Sequence, residues 1–402
     1  MKLRTDFRLI PGLLFVLFLL ASCSAKSGSV NPQTNTTQVN PKSGTVAVAN
    51  SPNNAPGPVT VAPGTPIGEV PTISGSYADV LGSDGYVFEI NLANNQVIET
   101  LSTNTAPPQN PYTLAVTPGG GHGVIVSDAP GKAGNSLVPV DFASSLVGSP
   151  IPLPFQPVAV ALDPSGSYAW VTGASGELAS VDLASRSVSK VHQLLNNPDA
   201  YLDAIAISPN GNDAVVVDDG GASAGNRALI VSLPSGSVVA NALISQDPGS
   251  FPDAVAISSE GSLAFVVDGG YGNGTLTPLS IPGGASGDVI NVGGGPLAIC
   301  LSSDGKTAYV ANGGTGAGDL VVPVDISGGF NIPGRSGGTP FEVGGGVNEY
   351  LDAIGISPNG ESAYLLDREN GLFIPLNLKT GLSSKPIGLG HFPISIAITN
   401  GS

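Results

Sequence analysis

A hairpin that recurs along the chain limits its fold more than any other feature. An apolar run is followed by a tight turn and a second apolar run. The clearest copies are Asp203-Ala-Ile-Ala-Ile-Ser-Pro-Asn-Gly, leading to Val217, and Asp352-Ala-Ile-Gly-Ile-Ser-Pro-Asn-Gly, leading to Leu366. Others start at Thr113, Val158, Asp253 and Leu297. Glycine falls at the turn of each: Gly121, Gly166, Gly211, Gly261, Gly305 and Gly360. It supplies the positive φ that a tight hairpin needs. A seventh copy, Pro393-Ile-Ser-Ile-Ala-Ile-Thr399, begins but is not followed by its second run.

The remainder of that seventh unit stands at the other end. Tyr77 to Leu92 aligns without a gap to Tyr168 to Leu183, the second and third strands of a complete unit. The N-terminal stretch therefore supplies strands two to four of a unit whose first strand is C-terminal. Residues 75–402 divided among seven units give about 47 residues each, the period of a four-stranded propeller blade. The expected fold is all-β: a seven-bladed β-propeller of antiparallel blades, closed by N-terminal strands pairing with the C-terminal strand. Alternation of Ala with Ile or Val in the first strands lets sheets converge near an axis. A parallel βαβ fold needs helical segments that the Gly and Pro spacing leaves no room for. Pro139, Pro278, Pro323 and Pro375 recur inside third strands, which points to a repeated bulge or an outward-facing missing N–H.

Ala308-Tyr309-Val310-Ala311-Asn312 and Ala169-Trp170-Val171-Thr172-Gly173 resemble the second strand of the YVTN family of bacterial seven-bladed propellers. The resemblance covers residues 75–402. It implies the fold but no single activity, because that family includes binding proteins, lactonase-like members and relatives of quinoprotein subunits.

Residues 1–22 read as a secretory signal. Lys2, Arg4 and Arg8 precede an apolar stretch from Leu9 to Ala21, too short to span a bilayer comfortably. Leu20-Ala21-Ser22-Cys23 resembles the lipobox of bacterial lipoproteins, which implies lipidation of Cys23. Two or more acyl chains anchor stably where one does not. Ser24 favours the outer membrane over the inner one. Residues 23–74 then form a Ser/Thr/Asn/Pro-rich tether that buries too little apolar surface to fold. The expected setting is the cell envelope, with a monomeric head facing the periplasm or the surface.

Charge decides the rest. Fourteen basic residues face thirty acidic ones, a formal net charge of −16, so no basic patch exists to neutralise nucleic-acid phosphates. Three His and two Cys leave little for a His/Cys metal site. Asp203, Asp253 and Asp352 open first strands, and Asp218, Asp268 and Asp367 close second strands. Simple hairpin arithmetic sets each pair face to face. Like charges across a ladder repel. One interpretation is a carboxylate-lined mouth for Ca²⁺ or a cationic ligand; the other is that the acids cap backbone N–H groups. Tyr201, Tyr271 and Tyr350 would add contact area at the same rim. No cofactor other than Ca²⁺ suggests itself, and His122, His192 and His391 belong to no nucleophilic motif. The leading expectation is a non-catalytic module for a protein or glycan partner. The alternative is a lactonase-like or metal-dependent hydrolase.

Overall fold

The computed structural model describes residues 75–401 apart from 104–109, 129–133, 198, 221–225, 234, 247–249, 270–273, 314–318, 331–336 and 344–349. The expected signal, Cys23 and the tether lie outside the described residues, as does Tyr271.

Seven antiparallel sheets form the molecule, and the described residues contain no helix. Blade 1 starts with the inner strand Asn110–Val116, blade 2 with Pro157–Leu162 and blade 3 with Leu202–Ile207. Blades 4, 5 and 6 start with Pro252–Ile257, Pro296–Leu301 and Leu351–Ile356. Each continues outward through consecutive strands. Blade 7 is composite: Pro393–Gly401 lies innermost and pairs with Gly75–Gly82, followed by Tyr86–Asn91 and Gln96–Ser102. The seven inner strands touch one another in a closed ring. The two ends of the folded part thus share one sheet.

The apolar alternation explains the ring. Side chains of a strand alternate between faces, and in a blade both faces meet a neighbour. Among the described residues there are seven apolar clusters, each shared by two adjacent blades. Blades 3 and 4 share Val215, Val217, Ile230, Val266 and Leu279, for example. Inter-blade burial of this kind is what closes the circle.

The hairpin turns follow the expected chemistry, with one correction. Gly166, Gly211, Gly261, Gly305 and Gly360 have φ between 67° and 72°, but in blade 1 the residue at that place is Gly120, not Gly121. Its N–H reaches Thr117 as that of Gly211 reaches Ser208, three residues back. The Gly119-Gly120-Gly121 run hides which glycine turns the chain.

The recurring prolines also find their reason. In blades 2, 3 and 7 the third strand meets a continuous fourth strand through a bulge, beside Ser180, Ile230 and Glu89. Pro139, Pro278, Pro323 and Pro375 occupy the equivalent position in the other blades, where the fourth strand is short or split in two. A proline has no N–H to offer an outer strand there. Its carbonyl is still used: Pro139, Pro278, Pro323 and Pro375 accept from Gly148, Gly287, Gly338 and Ser384 at 2.6–2.8 Å.

Candidate functional site

The facing carboxylate pairs expected from hairpin arithmetic do not form. In blade 3, Asp218 pairs with Leu202, and Val217 with Ala204. Asp203 is the extra residue of a β-bulge and has no cross-strand partner. Blades 4 and 6 do the same: Asp268 pairs with Pro252 and Asp367 with Leu351, leaving Asp253 and Asp352 bulged. The bulge recurs at Tyr112, Val158, Leu297 and Ile394 in the remaining blades. A bulge bends its strand and re-aims one side chain. Seven bulged residues therefore stand at one level of the inner ring.

The six candidate acids split into separate roles. Asp218, Asp268 and Asp367 cap the backbone. Asp218 accepts the Tyr201 N–H at 2.9 Å, Asp268 accepts the Phe251 N–H at 2.9 Å, and Asp367 accepts the Asn370 N–H at 3.0 Å. The Ser250 hydroxyl also donates to Asp268. Burial raises the Asp218 carboxyl, while the Tyr201 N–H and Arg227 pull it back.

Asp352 stands apart. Arg368 Nε lies 3.8 Å from its carboxylate, and burial still pushes it up to about 6. Tyr350 takes part through its carbonyl, which accepts from the N–H groups of Asp352 and Arg368.

Asp203 and Asp253 are brought together, and Asp219 joins them. Burial pushes Asp203 up to about 7. Asp219, 8% exposed, is pushed to about 8 by burial and by the charges of Asp203, Asp218 and Asp268. Asp253 is raised well above the usual range by burial, Asp203, Asp219 and Asp268. Oδ1 of Asp219 is buried without a hydrogen-bond partner. Gly269 explains how Asp253 fits: any Cβ at that position would collide with its carboxylate.

The group extends into blades 1 and 2 through residues that the sequence reading missed. Burial and the charges of Asp203, Asp128 and Asp219 raise the Tyr201 hydroxyl, and Tyr112 adds to the effect. Tyr112 donates to Asp128 at 2.9 Å, and Gln156 donates to the same oxygen at 2.8 Å. Aligning the units would have found them, since Tyr112 takes the place of Asp203 and Asp128 that of Asp219. Below this level the inner strands are aliphatic. Ile205, Ile207, Ile257, Leu301, Ile356 and Ile398 are half-exposed although they sit at the ring's centre, so water reaches the axis.

The arrangement gathers three carboxyl groups at one level of the ring. Among the described residues no group of three or more His, Cys, Asp or Glu side chains could hold a metal ion. The histidines lie elsewhere. His391 contacts Asp84 and packs on Tyr86 and Phe88 in blade 7, His192 stacks on Trp170, and His122 lies 3.8 Å from Asp141.

Solved structures with this architecture are numerous. A candidate 6-phosphogluconolactonase from Bacteroides uniformis superposes with a TM-score of 0.61 at 20% identity, covering 81% of this chain and 100% of that one. A second protein so named, from Bacteroides fragilis, gives 0.60 at 18% identity, covering 81% and 98%. Kuenenia stuttgartiensis hydrazine synthase gives 0.58 at 15%, covering 78% and 95%. These likenesses establish the seven-bladed β-propeller class. No protein-family model and no curated protein matches the sequence.

Proposed function

We propose that this chain is a non-catalytic binding module whose axial acidic mouth takes an organic cation, such as the ammonium or guanidinium group of a partner's side chain. One observation carries this: Asp203, Asp219 and Asp253 gather across two blades with no basic side chain offsetting them among the described residues. A cation with several N–H donors relieves that repulsion and satisfies the buried oxygen of Asp219. Charge-assisted bonds of this type are the strong ones. Calorimetry with an arginine-rich peptide is expected to show binding that tightens from pH 6 to pH 9, with proton release, as Asp203 and Asp219 ionise. Asp203→Asn and Asp219→Asn are expected to weaken it about tenfold or more, each replacing a charge-assisted hydrogen bond. Absence of binding heat at pH 9, or affinity in both variants equal to that of the unsubstituted chain, disproves the proposal.

A second interpretation is supported by the neighbours named as candidate 6-phosphogluconolactonases. On it, the same mouth hydrolyses a lactone. Electrostatics count against a phosphorylated substrate, because clustered carboxylates repel an anion. Release of acid from a neutral lactone, lost in Asp253→Asn, would support the hydrolase instead.

The proposal places the propeller on the cell envelope, held by lipidated Cys23. Support comes from the Leu20-Ala21-Ser22-Cys23 sequence behind its apolar stretch and from the YVTN-like second strands. Labelled palmitate is expected to enter the full chain and to be absent from Cys23→Ala; retained label in the variant removes the anchor.

A further inference from the structure

The outer rim of the propeller has seven sheet edges, and six are protected against pairing. In blades 1 and 6 the outer strand is split into two-residue pieces. In blades 4 and 5 it is reduced to Ile290–Gly293 and Phe341–Glu342. The longer edges of blades 2 and 7 carry a charge, Lys190 within Ser187–Gln193 and Glu99 within Gln96–Ser102. Short strands and charges are the usual defences of an exposed edge.

Blade 3 has neither defence. Its outer strand, Ser237–Ser245, is nine residues long with no charge, proline or glycine, and its outer side pairs with no strand among the described residues. Val238, Val239 and Leu243 are 38%, 51% and 46% exposed. The sequence is also matched to itself when reversed: Ser-Val-Val-Ala-Asn-Ala-Leu-Ile-Ser, centred on Asn241. Set antiparallel against an identical strand about Asn241, it places Ser237 beside Ser245, Val238 beside Ile244, Val239 beside Leu243 and Ala240 beside Ala242.

We infer that this edge is a docking surface for a second copy of the chain, joined by two-fold antiparallel strand pairing centred on Asn241. A two-fold interface requires a self-complementary surface, and the reversed match of residue types provides it. Bulges against the third strand at Val239 and Ile244 leave Ala240–Leu243 as a regular ladder next to the centre. Ala240, Ala242 and Ile244 pack toward blade 4. Val239 and Leu243 therefore project on the exposed face, where each lies directly opposite the other type across the dimer. Such cross-strand apolar pairs stabilise a sheet. The contact brings no like charges together, although each copy carries a net charge of −16. This edge argues against the expectation of a monomeric head.

Cross-linking tests the register. In an antiparallel pair on a two-fold axis the two central residues have Cα atoms about 4.5–5.5 Å apart, within disulfide range. The full chain bearing Asn241→Cys is expected to form a reducible dimer on copper-phenanthroline oxidation. The unsubstituted chain, which keeps Cys23 and Cys300, is the control. Leu382→Cys, at another exposed position, is expected to stay monomeric. Adding Leu243→Lys to Asn241→Cys should cut the dimer about tenfold, with the melting temperature unchanged because this side chain is exposed. A monomeric Asn241→Cys chain, or cross-linking indifferent to Leu243→Lys, overturns the inference.

Discussion

Truncating the chain after Phe392 is expected to abolish cooperative unfolding, not merely to lower its midpoint. Pro393–Gly401 pairs along the whole of Gly75–Gly82, from Gly75 opposite Gly401 to Gly82 opposite Pro393. It also packs on the inner strands of blades 1 and 6, and the Ser395 hydroxyl accepts the Leu114 N–H at 3.2 Å. Removing it opens the ring at its narrowest point. Ala78, Val80 and Leu81, all fully buried, lose their covering strand. Fully burying one large apolar side chain contributes about 1.5–3 kcal/mol, and this strand engages Ile394, Ile396 and Ile398 as well. Their sum reaches the whole stability of an ordinary domain, about 5–15 kcal/mol. Calorimetry should find no sharp transition in the truncated chain. A transition at the full-length temperature would mean that blade 7 does not close the ring.

Stability is expected to fall as the pH rises from about 5 to 8, the reverse of a protein held by salt-bridged carboxylates. One source is a row of acids in blade 7. Asp79 lies opposite Glu89, which lies opposite Glu99. Asp79 is fully buried, and neither of its oxygens has a hydrogen-bond partner. Burial and Glu89 hold its carboxyl well above the usual range, while burial and Glu99 push Glu89 up to about 7. The sign follows from linkage. Raised in the folded state, these groups leave stability intact below about pH 4 and remove it as the pH climbs through their folded values. Asp203 at about 7 and Asp219 at about 8 act in the same direction. For Glu89 alone the displacement from 4.5 to about 7 corresponds to roughly 3 kcal/mol at 1.36 kcal/mol per unit. For a ring of this size that is a drop of roughly 4–5 °C in melting temperature, at about 2.1 cal/mol/K of unfolding entropy per residue. Asp79→Leu should raise the melting temperature at pH 8 and flatten the profile. An unchanged slope would show that Asp79 is not the neutral buried acid described here.

The ring, its seven units and its shared sheet were legible in the sequence because apolar alternation and turn glycines report backbone geometry directly. The bulge at Asp203, Asp253 and Asp352 was not. A one-residue bulge leaves the alternation after it untouched, so the arithmetic of a regular ladder moved each acid onto the wrong partner. Its trace is the recurrence of a polar residue ahead of the alternating run, Asp in three blades and Tyr112 in a fourth. The buried acids escaped for another reason. Tyr77-Ala78-Asp79-Val80 looks like a half-exposed strand with its polar residue outward, and only a neighbour on both faces makes Asp79 an interior group. Its alignment with Trp170 was the available sign. The prolines of the third strands marked a real irregularity, but the gap in the outer strand that gives them their meaning is set by pairing and not by composition.

The composite blade also fixes when folding can finish. Its innermost strand, Pro393–Gly401, is made after every strand of the other six blades, and its partner begins at Gly75, more than three hundred residues earlier. Contacts so distant along the chain are slow to form. Six blades can assemble in order as the polypeptide emerges, but the circle stays open until Pro393–Gly401 has been made. Until then the six blades form an unlatched strip, and the inner strands of blades 1 and 6 still lack the neighbour they share.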